Sequence, residues 1–381
     1  MSGETRSTDR RWPPIDPREL SRLHQFGLVG LLAMGIVPLV ASSGAVGFVD
    51  PLLVLQVTGA LFFAVYVMTW DVVSGYTGEI SFGHALFVGV GAYTSGLLNV
   101  HAGVPLVASI PLAVLAAGLA GLLIGFPSLR VRGPYFSLIT LVAPIILVRL
   151  LVYFASFTGG ETGLFGLETI SFDPVVNYYV AFVTFLLALV VFLAVTRSDA
   201  GEVLTAIRED EDAVVAVGLN PARYKLFVFV LSGAVGGLAG ALFVHTYAQG
   251  IVTPSETLGL VLSIELIVAA ILGGMGTITG AAIGGLFFFL VRTWLRGVDV
   301  TIPVVGAPVS ELYFLIFAIV TLVFLFVMPQ GIVPRFIQEV RQLGEGDAGA
   351  DFATDGGRTP ATSALASLPE DLATLLGGER R

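Results

Sequence analysis

The residues of this sequence best suited to chemistry are ionisable side chains inside long apolar segments. Glu265 is the clearest of them, because residues 263–267 read Ser-Ile-Glu-Leu-Ile in the middle of an apolar run. Asp71, His84 and His245 stand near the ends of other runs. A charged group in hydrocarbon is costly, so it usually belongs to a transport path or is bonded to a neighbouring group. Both interpretations stay open for Glu265: contact with a transported solute, or a structural bond to a Ser, Thr or backbone group.

Other kinds of site have no residues in this sequence to support them. The chain contains no Cys, which excludes disulfides, thiolate nucleophiles and Cys-based zinc sites. Its 4 His are scattered without metal-ligand spacing. The phosphate-binding pattern Gly-x-x-x-x-Gly-Lys-Ser/Thr is absent from the sequence. We therefore expect no catalytic residue, metal or cofactor on this chain, and if the protein pumps, another polypeptide must bind ATP and Mg. A membrane enzyme is disfavoured for the same reasons.

The composition indicates a chain that crosses a membrane many times. It is 55% hydrophobic and 12% charged over 381 residues, whereas soluble proteins have about 25% charged residues. About ten apolar runs are near the ~20 residues that span a bilayer as a helix. They are 27–47, 52–74, 82–100, 103–126, 135–156, 175–196, 224–247, 257–274, 278–296 and 310–329. We predict an all-α polytopic membrane helix bundle of about ten transmembrane helices, with an eight-crossing alternative if two glycine-rich runs are re-entrant.

Positive charge predicts the orientation of the bundle. Most Arg residues and the only Lys fall on the side of the N-terminus, whereas Arg149, Arg292 and Arg296 fall on the other. Because cytoplasmic loops are enriched in Lys and Arg, both termini are predicted to be cytosolic. The predicted domains are an N-terminal tail over 1–26, a transmembrane domain over 27–333, and an acidic, largely disordered C-terminal tail over 334–381. The acidic, Lys-poor composition suggests a halophilic prokaryote, although drift in base composition explains it equally well.

The longest polar segment between apolar runs is 197–223, and it predicts two short amphipathic helices. Val203, Leu204 and Ile207 have helical spacing in the first helix, and residues 213–217 are mostly Ala and Val in the second. Gly218 follows as a helix stop. Such a loop is either a linker at the membrane surface or a docking element for a cytosolic partner. The residues of this loop alone favour neither interpretation over the other.

Five segments, in the same order, resemble permeases of branched-chain amino acid importers of the LivM type. Residues 75–85 read Gly-Tyr-Thr-Gly-Glu-Ile-Ser-Phe-Gly-His-Ala. The other segments are 129–136, the glycines of 158–166, the loop 206–225, and the glycines of 272–280. The resemblance covers about 55–333. Glu79 departs from the family pattern, which usually has a neutral residue there, and Glu161 stands where Ser is frequent. Both departures bear on which substrate is accepted.

The resemblance implies one permease subunit of an ABC importer for branched-chain or other small apolar amino acids. Its implied partners are a second, paralogous permease subunit, two cytosolic ABC ATPase subunits that bind ATP and Mg, and an extracellular substrate-binding protein. It implies a multi-pass protein of the cell membrane that binds no nucleic acid. The ATPases would dock on the cytosolic coupling loop 197–223, through Arg208, Glu209, Glu211, Ala213, Ala216 and Gly218. The rival hypothesis is an ion-coupled secondary transporter or channel that uses intramembrane carboxylates.

Two glycine-rich interruptions, 75–83 and 273–280, lie near the predicted cytosolic ends of apolar runs. Non-helical backbone at membrane depth is tolerated only inside protein or beside a cavity, so these turns either line the transport path or simply pack closely. Tyr135 is an aromatic residue at the start of the apolar run 135–156, where it either anchors the helix or contacts the transport path. The pathway candidates from these arguments are Glu265, His84, Tyr135, Gly273, Gly274 and Gly276.

Overall fold

The structure is a computed structural model that describes residues 22–42, 51–128, 133–298, 300–302 and 307–308, with single positions between 312 and 333. The chain divides into Met1–Arg335 and Phe336–Arg381, and every described residue belongs to the first unit. The predicted C-terminal tail and most of the predicted run 310–329 lie outside the described residues, as does the N-terminal tail up to residue 21.

Helices make up nearly all of the described chain, and two pairs of very short strands complete it. The helices are α1 Arg22–Ser42, α2 Pro51–Thr77, α3 Ala85–Ala102, α4 Leu106–Ser128, α5 Pro134–Tyr153, α6 Ala155–Thr158, α7 Pro174–Thr196, α8 Asp199–Glu209, α9 Glu211–Ala216, α10 Pro221–His245, α11 Pro254–Thr257, α12 Leu260–Gly273 and α13 Ile278–Arg296. The strands are β1 Leu164–Phe165, β2 Ile251–Val252, β3 Thr301–Ile302 and β4 Ala307–Pro308.

Within the described residues, 7 helices are long and apolar enough to cross a membrane. They correspond to α2, α4, α5, α7, α10, α12 with the preceding α11, and α13. The all-α polytopic membrane bundle is thereby confirmed, whereas the number of ten crossings and the cytosolic termini stay predictions. The predicted run 82–100 corresponds to the 18-residue helix α3, which is not among these 7 helices. Residues 78–84, just before α3, are not helical. Helix α1 begins at Arg22, inside the predicted tail 1–26.

Helix α2 lies at the centre of the bundle, and its neighbours are α13, α7, α10 and α12. Helix α10 packs chiefly against α4 and α3. A Cβ atom at Gly240 would overlap the backbone of Val88 on α3, and one at Gly91 would overlap the backbone of Gly237 on α10. Small residues let helices approach closely where no hydrophobic force joins them, so these glycines set the spacing of α3 and α10.

The two ends of the bundle are built differently. Helices α8 and α9 connect the end of α7 to the start of α10, and we call this the loop end. At the other end, the hairpin end, β1 pairs antiparallel with β2. His245, the last residue of α10, forms hydrogen bonds at this end: its Nδ1 donates to the Glu168 carbonyl at 2.6 Å. Since a carbonyl only accepts, Nδ1 has the proton, and Nε2 accepts from the Ser95 hydroxyl at 2.8 Å. His245 therefore has a structural role.

Candidate functional site

The polar segment between α7 and α10 forms the two short helices that its sequence predicts. In α8, Leu204 and Ile207 are buried and Val203 is half-buried, so the apolar stripe faces the bundle. Helix α9 begins at a cap, where the Asp210 carboxylate accepts from the backbone N–H of Ala213 at 3.0 Å. Gly218 then turns the chain with φ +85°, a conformation that glycine adopts without steric cost. The sequence thus fixes both ends of α9.

Helix α9 presents small and apolar residues to its surroundings. Only Val214 of this helix is buried in the bundle, whereas Ala213 and Ala216 are exposed. Val217 is 75% exposed and Leu219 is 39% exposed just beyond the helix. We call Ala213, Val215, Ala216, Val217 and Leu219 the α9 face. An exposed apolar cluster on a polar loop is a common mark of a protein-binding surface.

Arg208, a predicted docking residue, also contacts the membrane helices. Its Nη1 donates to the carbonyl of Gly75 at 2.7 Å, near the end of α2. A Cβ atom at Gly276, in the turn between α12 and α13, would overlap this guanidinium. The side chain of Arg208 therefore joins α8 to α2 and lies against the α12–α13 turn, while the residue as a whole stays exposed, so its docking role stays a prediction.

Asp71 completes this connection from the side of α2. It is fully buried, and its Oδ1 accepts from the backbone N–H of Gly276 at 2.7 Å. A Cβ atom at Gly75 would overlap both the Asp71 carboxylate and the Gly276 backbone, so the turn can pack on α2 only because Gly75 has no side chain. We call Asp71, Gly75, Arg208 and Gly276 the loop junction. It joins α8, α2 and the glycine-rich turn through two hydrogen bonds.

A second connection, which the sequence argument missed, involves Lys225. Its Nζ donates to Glu79 Oε1 at 2.8 Å and to Glu211 Oε2 at 2.9 Å. Lys225 is 4% exposed and Glu79 is 9% exposed, so this pair is nearly removed from solvent. The ammonium joins the segment after α2, the start of α10 and the first residue of α9.

Two signals in the sequence point to this bridge. Lys225 is the only Lys among 19 Lys and Arg residues, and Glu79 is the carboxylate that departs from the family pattern. Because Glu79 is bonded to Lys225 at the loop end, its charge is explained by this ion pair. The predicted docking residue Glu211 belongs to the same pair, whereas Glu209 is exposed on α8.

His84, a predicted pathway residue, is buried in a hydrogen-bond chain. The Ser232 hydroxyl donates to the Thr69 carbonyl at 2.7 Å, so it accepts from His84 Nε2 at 3.0 Å. The opposite nitrogen, Nδ1, then accepts from the Ser81 hydroxyl at 3.0 Å. His84 thus joins the segment before α3 to α2 and α10, and it lines neither of the cavities described below, of about 240 and 460 Å³.

The remaining predicted pathway residues lie at two separate places. Tyr135 is 68% exposed in the first turn of α5, in agreement with an anchoring position at a helix start. Gly273 and Gly274 end α12, where Gly274 has φ +120° and a Cβ atom at Gly273 would overlap Gly280. The glycine turn is therefore needed for close packing of α12 on α13. A role in the transport path stays a prediction for these residues.

Glu265 has a partner that the sequence argument did not anticipate. Arg292 of α13 forms a salt bridge with its carboxylate. The Arg292 guanidinium also stacks over the rings of Phe289 and Phe63, at 4.8 Å and 5.5 Å from their centres. Both charged residues line a cavity of about 240 Å³ among α2, α10, α12 and α13. The structure thus places the clearest sequence candidate in a cavity, at the side of a paired arginine.

A wider cavity of about 460 Å³ lies beside α5, where Arg149 and Glu161 are among its lining residues. Glu161 is exposed there, at the second position where the sequence departs from the family pattern. Within the residues that the structure describes, no group of three or more His, Asp or Glu side chains could bind a metal ion.

Comparison with known proteins places these features in one family. Residues 52–328 match the profile of the branched-chain amino acid transport system permease component. The LivM permease protein of the high-affinity branched-chain amino acid transport system of Escherichia coli K12 is 32% identical, over 71% of this chain and 68% of LivM. A probable LivM of Methanocaldococcus jannaschii is 25% identical, over 68% of this chain and 87% of that protein. Escherichia coli LivH is 32% identical over 40% of this chain and 46% of LivH. No solved structure matches.

Proposed function

The chain belongs to the family of permease components of branched-chain amino acid transport systems. From this premise we propose that it is the transmembrane permease subunit of an ATP-binding cassette importer for branched-chain or other small apolar amino acids. The observation that supports this best is the α9 face, which exposes small residues on a loop that is bonded to the membrane helices at its other side. In this proposal the protein lies in the cell membrane with both termini in the cytosol.

The proposed assembly contains further polypeptides. Both LivM and LivH are similar to this chain and are named as permease proteins of the same kind of system, which supports a second, related permease subunit. Two cytosolic ATPase subunits supply ATP binding, because this sequence has no phosphate-binding loop. An extracellular binding protein delivers the amino acid and is the main source of selectivity.

The proposed coupling runs from α9 to the glycine-rich turn. ATP-driven closure of the ATPase subunits displaces α9 and α8. Arg208 then moves with α8, and its bond to Gly75 and its contact with the Gly276 turn pass the displacement to α2 and to the α12–α13 turn. Packed elements with two discrete arrangements transmit such shifts, because neither arrangement deforms continuously. Helix α12 has Glu265 nearer its opposite end, so motion of the turn reaches the cavity.

The ion-coupled alternative is less well supported by the contacts. A proton- or cation-coupled transporter needs a carboxylate that alternates between ion-bound and free states. Glu265 is instead bonded to Arg292, and Asp71 is bonded to the Gly276 backbone. Glu265 is thus paired within the chain, whereas Asp71 keeps a second buried oxygen, Oδ2, without a hydrogen-bond partner among the described residues, so the alternative depends on Asp71.

Reconstitution tests the proposed function directly. The tagged chain is co-expressed with a second permease and the ATPases, purified, and placed in liposomes with the substrate-loaded binding protein outside. We expect L-leucine uptake that requires ATP on the ATPase side and is independent of proton or sodium gradients. Uptake driven by an ion gradient without ATP would instead support the secondary transporter.

The topology is tested by introducing single cysteines into this Cys-free chain. Thr5→Cys and Pro360→Cys should both resist a membrane-impermeant thiol reagent in intact cells, because both termini are predicted to be cytosolic. Both should react after the cells are made permeable, which serves as the control for accessibility. Labelling of either position in intact cells would contradict the proposed orientation.

The loop junction predicts an uncoupled variant. Arg208→Ala removes the bond to Gly75, and hydrogen bonds to charged groups contribute about 1.5–3 kcal/mol. We expect leucine uptake at least about tenfold lower, while the ATPase subunits still co-purify because the α9 face is unchanged. Glu202→Ala, an exposed change in the first turn of α8, is the matched control. Loss of the ATPase subunits from the Arg208→Ala variant would place Arg208 in the docking surface instead.

A further inference from the structure

The cavity around Arg292 and Glu265 lies at the end of the bundle away from the coupling loop. Helix α13 begins at the glycine-rich turn of the loop junction and reaches Arg292 after about four helical turns. Tyr247 and Glu256, which follow α10 toward the hairpin end, line the same cavity. In the proposed importer this is the end that faces the binding protein.

The cavity combines charged groups of both signs with an apolar wall. Its charged lining consists of Glu256, Glu265, Arg292 and Arg296. Its apolar lining includes Phe63, Phe243, Val261 and Leu262. Cavities that bind small molecules combine apolar side chains with polar groups that fix orientation, and here the polar and charged side chains make up about half of the lining. A ligand that fits must have both charges close together and an uncharged part beside them.

Arg292 retains donor capacity after it has bonded Glu265. Its Nε is buried and has no hydrogen-bond partner in the described part of the chain. A guanidinium presents several donors in a planar fork, which matches the two oxygens of a carboxylate. The rings of Phe289 and Phe63 lie against this guanidinium.

The size of the cavity agrees with a small amino acid. Its volume of about 240 Å³ corresponds to roughly eight waters at ~30 Å³ each, and so to a solute of about eight or nine non-hydrogen atoms. Leucine, isoleucine and valine have this size. Each also has a carboxylate, an ammonium and a compact apolar side chain.

We propose that this cavity is a binding site for a zwitterionic α-amino acid with a short apolar side chain during its passage through the permease. Arg292 binds the carboxylate of the solute, Glu265 and Glu256 face its ammonium, and Phe63, Phe243 and Leu262 surround its side chain. This inference rests on the proposed function, because it assigns a solute site within the proposed importer. In this proposal the Arg292–Glu265 pair binds the two opposite charges of the solute and is more than a structural ion pair.

A single cysteine at the cavity tests this site without changing the ion pair. Val261 lines the cavity as the second residue of α12 and is 48% exposed. In the assembled transporter in lipid nanodiscs, alkylation of the Val261→Cys variant by a maleimide should be at least tenfold slower with saturating L-leucine. Two analogues should give no protection at the same concentration: 4-methylpentanoate, which lacks the ammonium, and 3-methylbutylamine, which lacks the carboxylate.

The matched control is Val107→Cys, at the second residue of α4, where Val107 is 88% exposed and outside the cavity. Leucine should leave its alkylation rate unchanged. Arg292→Lys or Glu265→Gln, added to Val261→Cys, should raise the half-protecting leucine concentration about tenfold or more, because each removes charge-assisted bonds to the solute.

The outcomes separate this site from the proposed function. If the unmodified transporter takes up leucine with ATP but leucine fails to slow alkylation of Val261→Cys, the importer stands and the site is overturned. Equal protection by either analogue would also overturn it, since one charge would then suffice. If the unmodified chain shows no ATP-dependent uptake, the proposed function falls, and this inference falls with it.

Discussion

The Ala213→Arg variant is expected to insert and fold in the membrane, to lose the ATPase subunits on purification, and to transport nothing. Ala213 is exposed on α9, and its side chain lies on the face that is left uncovered by the bundle. A helix that enters a partner's groove needs small residues at its contact positions. A guanidinium on a long side chain prevents that approach by its volume and by its cost of desolvation.

Gly218→Glu tests the same surface at the other end of α9. No heavy atom lies within 4 Å of a Cβ atom at Gly218, so a side chain there meets no atom of the bundle. The positive φ does impose strain on any L-residue, of about 1–2 kcal/mol. Gly218→Ala has this strain without the bulk and charge, and it should keep most of the ATPase binding.

Co-purification of the tagged permease with its ATPase subunits is the measurement, and ATP hydrolysis stimulated by the loaded binding protein is the second readout. Ala213→Ser is the conservative control, because it keeps a small side chain at the same position. If both Ala213→Arg and Gly218→Glu retain the ATPases and still transport, the segment is only a linker. The ion-coupled transporter would then become the better explanation of the intramembrane carboxylates.

The length and composition of the apolar runs predicted most membrane helices, because lipid imposes both on every crossing. The runs 103–126 and 175–196 correspond closely to α4 and α7. Sequence alone also located α8 and α9, since polar segments with short apolar stripes are rare in such a chain. The Gly218 turn follows from steric freedom at positive φ, which glycine alone has at no cost.

The sequence alone did not predict which residues pair with the charged side chains. Arg292 lies 27 residues from Glu265, and Lys225 lies 146 residues from Glu79. Such pairs depend on how helices pack, and local periodicity contains no information about that packing. Arg208 shows the same limit: its bond to the Gly75 carbonyl at the end of α2 depends on how α8 packs, whereas its docking role stays a prediction.

The Lys225→Met variant is expected to be the least stable single variant of the loop end. Lys225 is 4% exposed between the carboxylates of Glu79 and Glu211. Removing one partner of a buried ion pair costs about 3–5 kcal/mol, because the remaining charge is left without compensation. The side chain of Glu211 is 25% exposed and can be solvated, so a value of about 3 kcal/mol, at the lower end, is expected for Lys225→Met.

Thermal unfolding of the purified permease in detergent measures this loss, with Arg223→Met as the matched control. Arg223 lies two residues earlier, is exposed, and should change stability by less than about 0.5 kcal/mol when replaced. The triple variant Glu79→Gln/Lys225→Met/Glu211→Gln neutralises all three groups and should restore most of the stability. Uncharged side chains of similar volume often give the same stability as a buried ion pair. If Lys225→Met unfolds at the same temperature as Arg223→Met, the bridge contributes nothing to the loop end. In that case other contacts position α9, among them its packing through Val214 and the bond between Arg208 and Gly75.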